Sequence, residues 1–265
     1  MPELMKNKRG LVMGVANQKS IAWGIAEVLS KEGASIALTY QGDSFKKRVE
    51  PLAESIGSNL IFDVDVTNES SVDQCFNELS KKWESLDFVV HALAFSDKSE
   101  LSGRFINTSR QNFLNSLDIS CFSLIDVAKR CSHLMKQGGG ILTLSYLGSQ
   151  RVTPNYNVMG VAKAALESSV RYLASDLGED GIRVNAISAG PMKTLAGAAI
   201  GGARRVFRIS EQNSPLKSNP TLKSVGGTAA FLLSDYGMHI SGEVIFVDGG
   251  YHVMGMPKLD NIEKA

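Results

Sequence analysis

The sequence predicts an α/β fold in which one doubly wound, mostly parallel sheet of seven strands carries helices on both faces. Short apolar runs alternate along the chain with longer segments whose apolar residues recur at helical spacing. Such alternation is typical of βαβ units, whose crossovers cover a parallel sheet on both sides. With 265 residues and 43% hydrophobic residues, the chain has ample apolar material for one core.

The predicted elements follow one another without an internal repeat, a low-complexity tract or a linker. The strands are Gly10–Gly14, Ile36–Tyr40, Leu60–Asp65, Asp87–His91, Ile141–Leu144, Ile182–Ile187 and Glu243–Val247. The helices are Ile21–Ser30, Ser44–Ser55, Val72–Trp83, Phe113–Met135, a helix that Tyr156 opens and that reaches Leu173, and Val225–Leu233. We expect residues 1–265 to form a single domain, with a polar and loosely held tail at 257–265.

Composition excludes several classes of function. A net charge of +1 provides no global field for nucleic acid or a membrane surface, and no apolar run approaches the roughly 20 residues of a membrane span. The first residues, Met1 to Arg9, lack the apolar core of a signal peptide. Three cysteines without metal-site spacing predict reduced, buried thiols and no metal centre. We therefore expect a cytoplasmic protein.

Two tyrosines and one lysine follow the fifth predicted strand. Tyr146 comes just past the strand, Tyr156 opens the next helix, and Lys163 lies about two turns along it. Open α/β sheets bind ligands where the carboxyl ends of strands face the starts of helices. The alternative is that both tyrosines only pack and that Lys163 is a solvated surface residue.

The first βα turn has the parts of a phosphate site, although it lacks a G-x-G-x-x-G fingerprint. Gly14 ends the strand, the Ser20 hydroxyl precedes a helix that begins at Ile21, and Gly24 permits close approach of helix and sheet. An ordinary glycine-bearing loop is the alternative. The position after the first strand favours phosphate binding.

The ends of the second and third strands predict the nucleotide preference. A carboxylate after strand two would bind a ribose 2′-hydroxyl and an arginine a 2′-phosphate; Gln41 is neither, but its amide can bond a hydroxyl. The nearby cations at 46–48 fit a solvated helix face, so NADH is preferred over NADPH. Asp65 and Val66 end strand three, where a carboxylate would bond the adenine amino group or, alternatively, cap the next helix.

Together these motifs resemble the short-chain dehydrogenase/reductase superfamily and, within it, the bacterial enoyl-acyl-carrier-protein reductases with a Tyr-x6-Lys pair. The resemblance spans about Arg9 to Met256 and is most specific at Gly14–Ala22, Ser145–Lys163 and Asn185–Pro191. It implies a Rossmann-type fold with dinucleotide binding, a homotetramer, and NADH-dependent reduction of trans-2-enoyl thioesters on acyl carrier protein in fatty-acid elongation.

The resemblance also assigns residues. Tyr146 and Tyr156 match the active-site tyrosines, Lys163 completes the catalytic set, and Ser96 falls where the backbone meets the substrate. Cofactor contacts are implied for Gly14, Ser20, Ile21, Gln41, Asp65, Val66, Leu93, Lys163, Met192, Lys193, Thr194, Leu195 and Ala196. Ala94 departs from the pattern, because many relatives have glycine there, and its methyl group would shrink the space beside the nicotinamide.

The tyrosine–lysine spacing suits conjugate reduction. Superfamily ketone reductases use Tyr-x3-Lys, whereas here Lys163 lies seven positions after Tyr156, with six residues between them. Seven positions correspond to a helical rise of ~10.5 Å, and four positions to ~6 Å. In conjugate reduction the hydride enters the β-carbon while charge gathers on the thioester oxygen, three bonds away. We assign Tyr156 to that oxygen, Lys163 to the nicotinamide ribose and Tyr146 to the acyl pocket; whether Tyr156 also donates the proton stays open.

Residues 192–210 follow the sixth strand and predict a substrate lid. Small apolar residues and three glycines before Arg204 would let this loop close over an acyl chain; a poorly structured surface loop is the alternative. Arg204, Arg205 and Arg208 would dock an acidic carrier protein or simply form a solvated face.

Two other functions remain as alternatives. One is a short-chain ketone or alcohol dehydrogenase, which the missing Tyr-x3-Lys pair disfavours. The other is a non-catalytic NAD(P)-binding sensor, which the presence of both Tyr156 and Lys163 disfavours. His91 is expected to be a packed histidine and not a ligand.

Overall fold

The computed structural model describes residues 3–195, 197 and 201–256. Its seven strands form one sheet in the order β3-β2-β1-β4-β5-β6-β7, and every neighbouring pair is parallel. The sheet predicted to be mostly parallel is thus wholly parallel. The strands are β1 Arg9–Met13, β2 Ser35–Tyr40, β3 Ile61–Asp63, β4 Phe88–His91, β5 Gly139–Ser145, β6 Ile182–Ala189 and β7 Val244–Val247.

Helices connect the strands near the predicted positions. They are α1 Ile21–Lys31, α2 Asp43–Ser55, α3 Glu69–Lys82, α4 Arg110–Leu117, α5 Ser123–Ser132, α6 Val158–Leu177, α7 Ala203–Asn213 and α8 Leu222–Leu233. The helix predicted as one piece from Phe113 to Met135 begins earlier, ends earlier, and is interrupted by a π-helical segment at Asp118–Phe122. The apolar period alone could not indicate this wider turn, whose functional consequence is described below.

The sheet separates two hydrophobic cores, as a doubly wound fold requires. On β1 the side chains alternate: Val12 packs in one core with Ile25 of α1, and Leu11 packs in the other with Leu124 of α5. All four of these side chains are fully buried. The period-two alternation of a strand therefore fixes which helix each residue of β1 contacts.

Gly24 serves a helix–helix contact, and not the helix–sheet contact expected from the sequence. A Cβ atom at Gly24 would lie 2.6 Å from the Cβ atom of Leu222 at the start of α8. Gly226 of α8 is equally tight against Val28 of α1. The two glycines let α1 and α8 approach closely on one face of the sheet.

The sheet order places the site. The chain moves outward from β1 through β2 to β3, then returns to β4 on the other side of β1. This reversal leaves a crevice at the carboxyl ends of β1 and β4, the usual ligand position in such folds. None of the helices in the described ranges is long and apolar enough to cross a membrane.

Candidate active site

Tyr146 and Tyr156 form an aromatic pair at the carboxyl end of β5. Their ring centroids lie 4.9 Å apart, with the ring planes at 71°, an edge-to-face arrangement. Tyr146 directly follows β5, as predicted. Tyr156 does not open the helix, because α6 begins two residues later, at Val158.

Two asparagines with positive φ angles flank Tyr156, which explains its position outside α6. Asn155 has φ 63° and Asn157 has φ 43°, so neither residue continues a right-handed helix. Asparagine tolerates this region better than most other residues. The turn presents Tyr156 from a constrained backbone and not from the helix surface.

Burial keeps both phenols protonated. Tyr156 is 8% exposed, and burial raises its pKa well above the usual value; burial also raises the pKa of Tyr146 to about 12. The Tyr156 hydroxyl makes no hydrogen bond to any residue in the described ranges. A protonated phenol without an internal partner is suited to donate a hydrogen bond to a ligand.

Lys163 is a buried residue, so the alternative of a solvated surface lysine is wrong. Its exposure is 5%, and its Nζ donates a hydrogen bond to the carbonyl of Leu144 on β5 over 2.7 Å. Burial lowers the pKa of Lys163 to about 8. The ammonium is therefore held at the end of β5, beside the turn that carries Tyr146.

Glu167, one helical turn after Lys163, was not singled out from the sequence. It is 5% exposed and accepts hydrogen bonds from the hydroxyls of Ser145 and Ser149 over 2.5 and 2.6 Å. The missed signal is a charged pair at i and i+4 among the buried apolar residues of α6.

A small apolar cluster lines the tyrosine pair. Leu101 and Met159 are each 5% exposed and pack with Tyr156, and Tyr146 contacts the same cluster. Leu101 comes from the segment after β4, and Met159 from the first turn of α6. An acyl chain beside the phenols would meet these apolar side chains.

The segment that contains Ser96 is fixed by polar residues that the sequence analysis missed. The Ser96 hydroxyl bonds the Asn112 side chain at 3.2 Å, and the amide of Phe95 donates to the Ser120 hydroxyl over 3.0 Å. Ser120 lies in the π-helical segment. The irregular turn thus orients a side chain that holds the backbone near the predicted substrate position.

The predicted lid lies partly within the described residues. Asn155 donates to the carbonyl of Gly201 over 3.0 Å, and Thr194 accepts from the amide of Gly197 over 2.9 Å. Lys193 lies 4.8 Å from the ring centroid of Phe207. Ala196, predicted to contact the cofactor, lies outside the described residues, as does the predicted tail 257–265.

The loop after β1 fits a phosphate. Gly14 has φ 90°, and a Cβ atom there would lie 2.2 Å from the carbonyl oxygen of Ala92, so only glycine fits. The Ser20 hydroxyl accepts from the amides of Ala16 and Asn17 over 3.3 Å and does not cap the first turn of α1. The amides from Ile21 onward therefore lack a side-chain cap, and a helix N-terminus in this state favours an anion.

Gln41 and Asp65 are brought together at the ends of β2 and β3. The Gln41 amide contributes a hydrogen bond that, after those of Thr67, lowers the pKa of Asp65. Asp65 Oδ1 accepts from the amide and hydroxyl of Thr67, whereas Asn68 caps α3. The alternative of Asp65 as the helix cap is wrong. Val66 follows Asp65, and Leu93 lies beside Gly14.

His91 and the three cysteines are packed residues. His91 is fully buried between Thr143 and Ser123, and burial lowers its pKa to about 3, so it stays neutral. The three cysteines are buried and free, as predicted. Within the described ranges no group of three or more His, Cys, Asp or Glu side chains could hold a metal ion.

Comparison with known sequences gives one consistent family. A family model described as enoyl-(acyl carrier protein) reductase matches residues 14–252. Enoyl-(acyl-carrier-protein) reductase (NADH) 1 of Rhizobium meliloti (strain 1021) is 56% identical over 257 residues, 97% of this chain and 94% of the relative. Enoyl-(acyl-carrier-protein) reductase (NADH) FabI of Rickettsia typhi is 50% identical over 256 residues, which are 97% of this chain and 98% of the relative.

Solved structures agree in fold. The enoyl-(acyl-carrier-protein) reductase of Anaplasma phagocytophilum, crystallised in complex with NAD, has a TM-score of 0.93 at 54% identity, covering 97% of this chain and 96% of that one. FabI from Candidatus Liberibacter asiaticus has a TM-score of 0.96 at 50% identity, covering 97% and 100%. The chain belongs to the enoyl-(acyl carrier protein) reductase family, within the short-chain dehydrogenase/reductase superfamily.

Proposed function

We propose that this chain reduces trans-2-enoyl thioesters carried by acyl carrier protein, with NADH as the hydride donor, in fatty-acid elongation. The observation that carries the proposal is the set of buried Tyr156, buried Lys163 and half-buried Tyr146 at the carboxyl end of β5, in a chain of the enoyl reductase family. NADH, when bound, supplies the hydride. The residues of the chain orient the substrate, stabilise its charge and exclude water.

Tyr156 would donate a hydrogen bond to the thioester oxygen as that oxygen gains negative charge. Its phenol is protonated and has no partner among the described residues, so the donor is available without breaking a bond. A donor placed in a buried site interacts more strongly with developing charge than it would in water. One proton is consumed for each hydride transferred.

Lys163 would bind the hydroxyls of the nicotinamide ribose. Its bond to the Leu144 carbonyl uses one of the three ammonium protons and leaves the others for a ligand. Its positive charge would also favour negative charge on the substrate oxygen. Tyr146, together with Leu101 and Met159, would shape the acyl site, and Ser96 would meet the substrate through its backbone.

The cofactor would lie along the carboxyl edge from β3 to β6. Gly14, Ser20 and Ile21 would meet the phosphates, Gln41 the adenosine ribose, and Asp65 with Val66 the adenine. Leu93 and the segment 192–196 would complete the nicotinamide end. Gln41 supports NADH over NADPH, because a neutral amide provides no charge for a 2′-phosphate.

Residues 192–210 would form the substrate lid, and the carrier protein would dock beside it. Arg204, Arg205 and Arg208 of α7 are exposed and form no ion pair with any described residue. An acidic partner would find these charges unneutralised. Reversing charge in Arg204→Glu/Arg205→Glu should lower turnover of carrier-bound substrate about tenfold and spare coenzyme-A thioesters. Equal losses on both would contradict docking here.

Exposed apolar side chains support the homotetramer. Phe122, Ile125 and Tyr172 are 50%, 39% and 73% exposed near or on α5 and α6, which are neighbours, and β7 is an edge strand. Contacts with further copies would remove this apolar surface from water. Sedimentation at micromolar concentration would reveal a tetramer, and a monomer would contradict the assignment.

The free thiols suit the reducing cytoplasm that we propose as the location.

Isotope transfer tests the proposed reaction. Crotonyl thioester is incubated with NADH that carries deuterium at the transferred position, and the product is analysed by mass spectrometry and NMR. Butyryl thioester labelled at the β-carbon is the expected product. Labelled 3-hydroxybutyryl thioester from acetoacetyl thioester, with crotonyl thioester unchanged, would identify a ketone reductase. Binding of NADH without turnover of either would identify a sensor.

A further inference from the structure

Glu167 is a buried carboxylate, and its hydrogen-bond donors among the described residues lie in one short turn. Its Oε1 accepts from the hydroxyls of Ser145 and Ser149, and its Oε2 accepts from the Gln150 amide over 3.3 Å. The two O–H···O distances of 2.5 and 2.6 Å are those of charge-assisted bonds to an ionised carboxylate. Residues 145–150, called the tyrosine turn below, are thus attached to α6 through Glu167.

The tyrosine turn determines where both phenol rings lie. Tyr146 belongs to it, and Gly148 faces the Tyr156 ring so closely that a Cβ atom at Gly148 would lie 2.4 Å from Tyr156 Cδ1. Gly160 of α6 packs with similar tightness against the Gly148 carbonyl. Movement of this turn relative to α6 would therefore move both rings.

The charge of Glu167 also reaches Lys163. Glu167 forms no ion pair with any described residue, yet it lies one turn after Lys163 on the same face of α6. The other titratable groups that face Lys163 are the neutral His91 ring and the Cys121 thiol. Among the described residues, Cys121 and then the Glu167 carboxylate favour the ammonium form of Lys163, and both oppose the burial that lowers its pKa.

We propose that Glu167 is a positioning residue of the active site: its carboxylate holds the tyrosine turn, and with it both phenols, against α6, and it places a negative charge one helical turn from Lys163. The proposal rests on the proposed function only for the roles of Tyr156 and Lys163. It goes beyond that function because Glu167 is assigned no contact with the substrate or the cofactor.

The test compares Glu167→Gln with Ser149→Ala, a matched variant that removes one hydrogen bond and keeps the charge. We expect Glu167→Gln to lower kcat with crotonyl thioester about tenfold and Ser149→Ala about threefold. Activity should fall at alkaline pH as Lys163 deprotonates. Without the carboxylate the ammonium form of Lys163 is less favoured. The alkaline fall in activity should therefore occur about half a pH unit lower in Glu167→Gln than in the wild type, and at the wild-type pH in Ser149→Ala.

A second readout does not need turnover. The affinity for NADH is measured by fluorescence from about pH 6.5 to about pH 9.5, the range in which a lowered lysine pKa acts, and the same displacement is expected in Glu167→Gln. An unchanged pH dependence in a folded Glu167→Gln protein overturns the proposal, whatever its kcat. If that variant does not fold, Glu167→Asp keeps the charge and shortens the reach; wild-type kcat in both Glu167→Asp and Ser149→Ala then overturns it.

The proposed reaction and the positioning role of Glu167 can be tested separately. If the wild-type protein does not reduce crotonyl thioester, the proposed function fails, while the pH dependence of NADH binding still decides the relation between Glu167 and Lys163. If the wild-type protein reduces crotonyl thioester and Glu167→Gln matches it at every pH, only the positioning role fails.

Discussion

The side-chain amide of Asn155 donates to the backbone carbonyl of Gly201 over 3.0 Å, which ties the residue before Tyr156 to the segment after β6. On the other side of Tyr156, the Asn157 amide donates to the carbonyl of Glu100 over 2.9 Å. The phenol proposed to meet the substrate is therefore held between the proposed lid and the segment after β4 that contributes Leu101. Ordering of the lid and placement of Tyr156 are physically connected.

Removal of the Asn155 amide should weaken substrate binding more than it weakens the fold. Asn155→Gly keeps the φ of 63° accessible and deletes the bond to Gly201. We expect the KM for crotonyl thioester to rise about fivefold, the value of one ordinary hydrogen bond. Asn7→Gly is the matched control, because Asn7 has the same φ of 63° outside the site. Equal kinetics in the two variants would show that the bond is unimportant.

A methyl group at Gly148 should displace the Tyr156 ring. The added Cβ would lie 2.4 Å from Tyr156 Cδ1, a distance that forces the ring or the turn to move. We expect Gly148→Ala to lose activity at least about tenfold, since catalytic geometry tolerates little displacement. The control is Gly227→Ala on α8, where a Cβ atom meets nothing within 4 Å. This variant should keep full activity, and its free energy of unfolding should rise by up to about 1 kcal/mol. Wild-type activity in Gly148→Ala would be inconsistent with a fixed Tyr156 ring.

The lowered pKa of Lys163 predicts that activity and stability change in opposite directions as pH rises. Its pKa is about 8 in the folded protein, against the ordinary lysine value of 10.5, so the unfolded chain binds more protons between these two values. The lysine's contribution to the free energy of unfolding therefore increases as pH rises through this window, while its catalytic charge is lost. The free energy of unfolding, measured with urea at about pH 7.5 and about pH 9.5, should rise more steeply with pH for the wild type than for Lys163→Met. Identical slopes would place the Lys163 pKa at its ordinary value.

The strands, and the candidate cofactor residues at their carboxyl ends, were predictable because both follow local sequence patterns. Apolar runs indicated all seven strands, and the glycine after β1 and Gln41 after β2 lie at the carboxyl edge as expected. The turn around Tyr156 was not predictable, because its two asparagine side chains bond carbonyls that are distant in the sequence. Asn155 and Gly201 are 46 positions apart, and Asn157 and Glu100 are 57 positions apart. Glu167 was missed for the same reason: its three donors come from a turn that only the tertiary fold places against α6.

The most direct measurement compares the wild-type protein with Tyr156→Phe and Tyr146→Phe in NADH oxidation with crotonyl thioester. Loss of the Tyr156 hydroxyl removes the proposed donor to the thioester oxygen, so kcat should fall on the order of 100-fold while NADH affinity is kept. Tyr146→Phe should cost less than about tenfold, because Tyr146 is assigned to the acyl pocket. A Tyr156→Phe protein that reduces crotonyl thioester at the wild-type rate would contradict the central role given to this phenol.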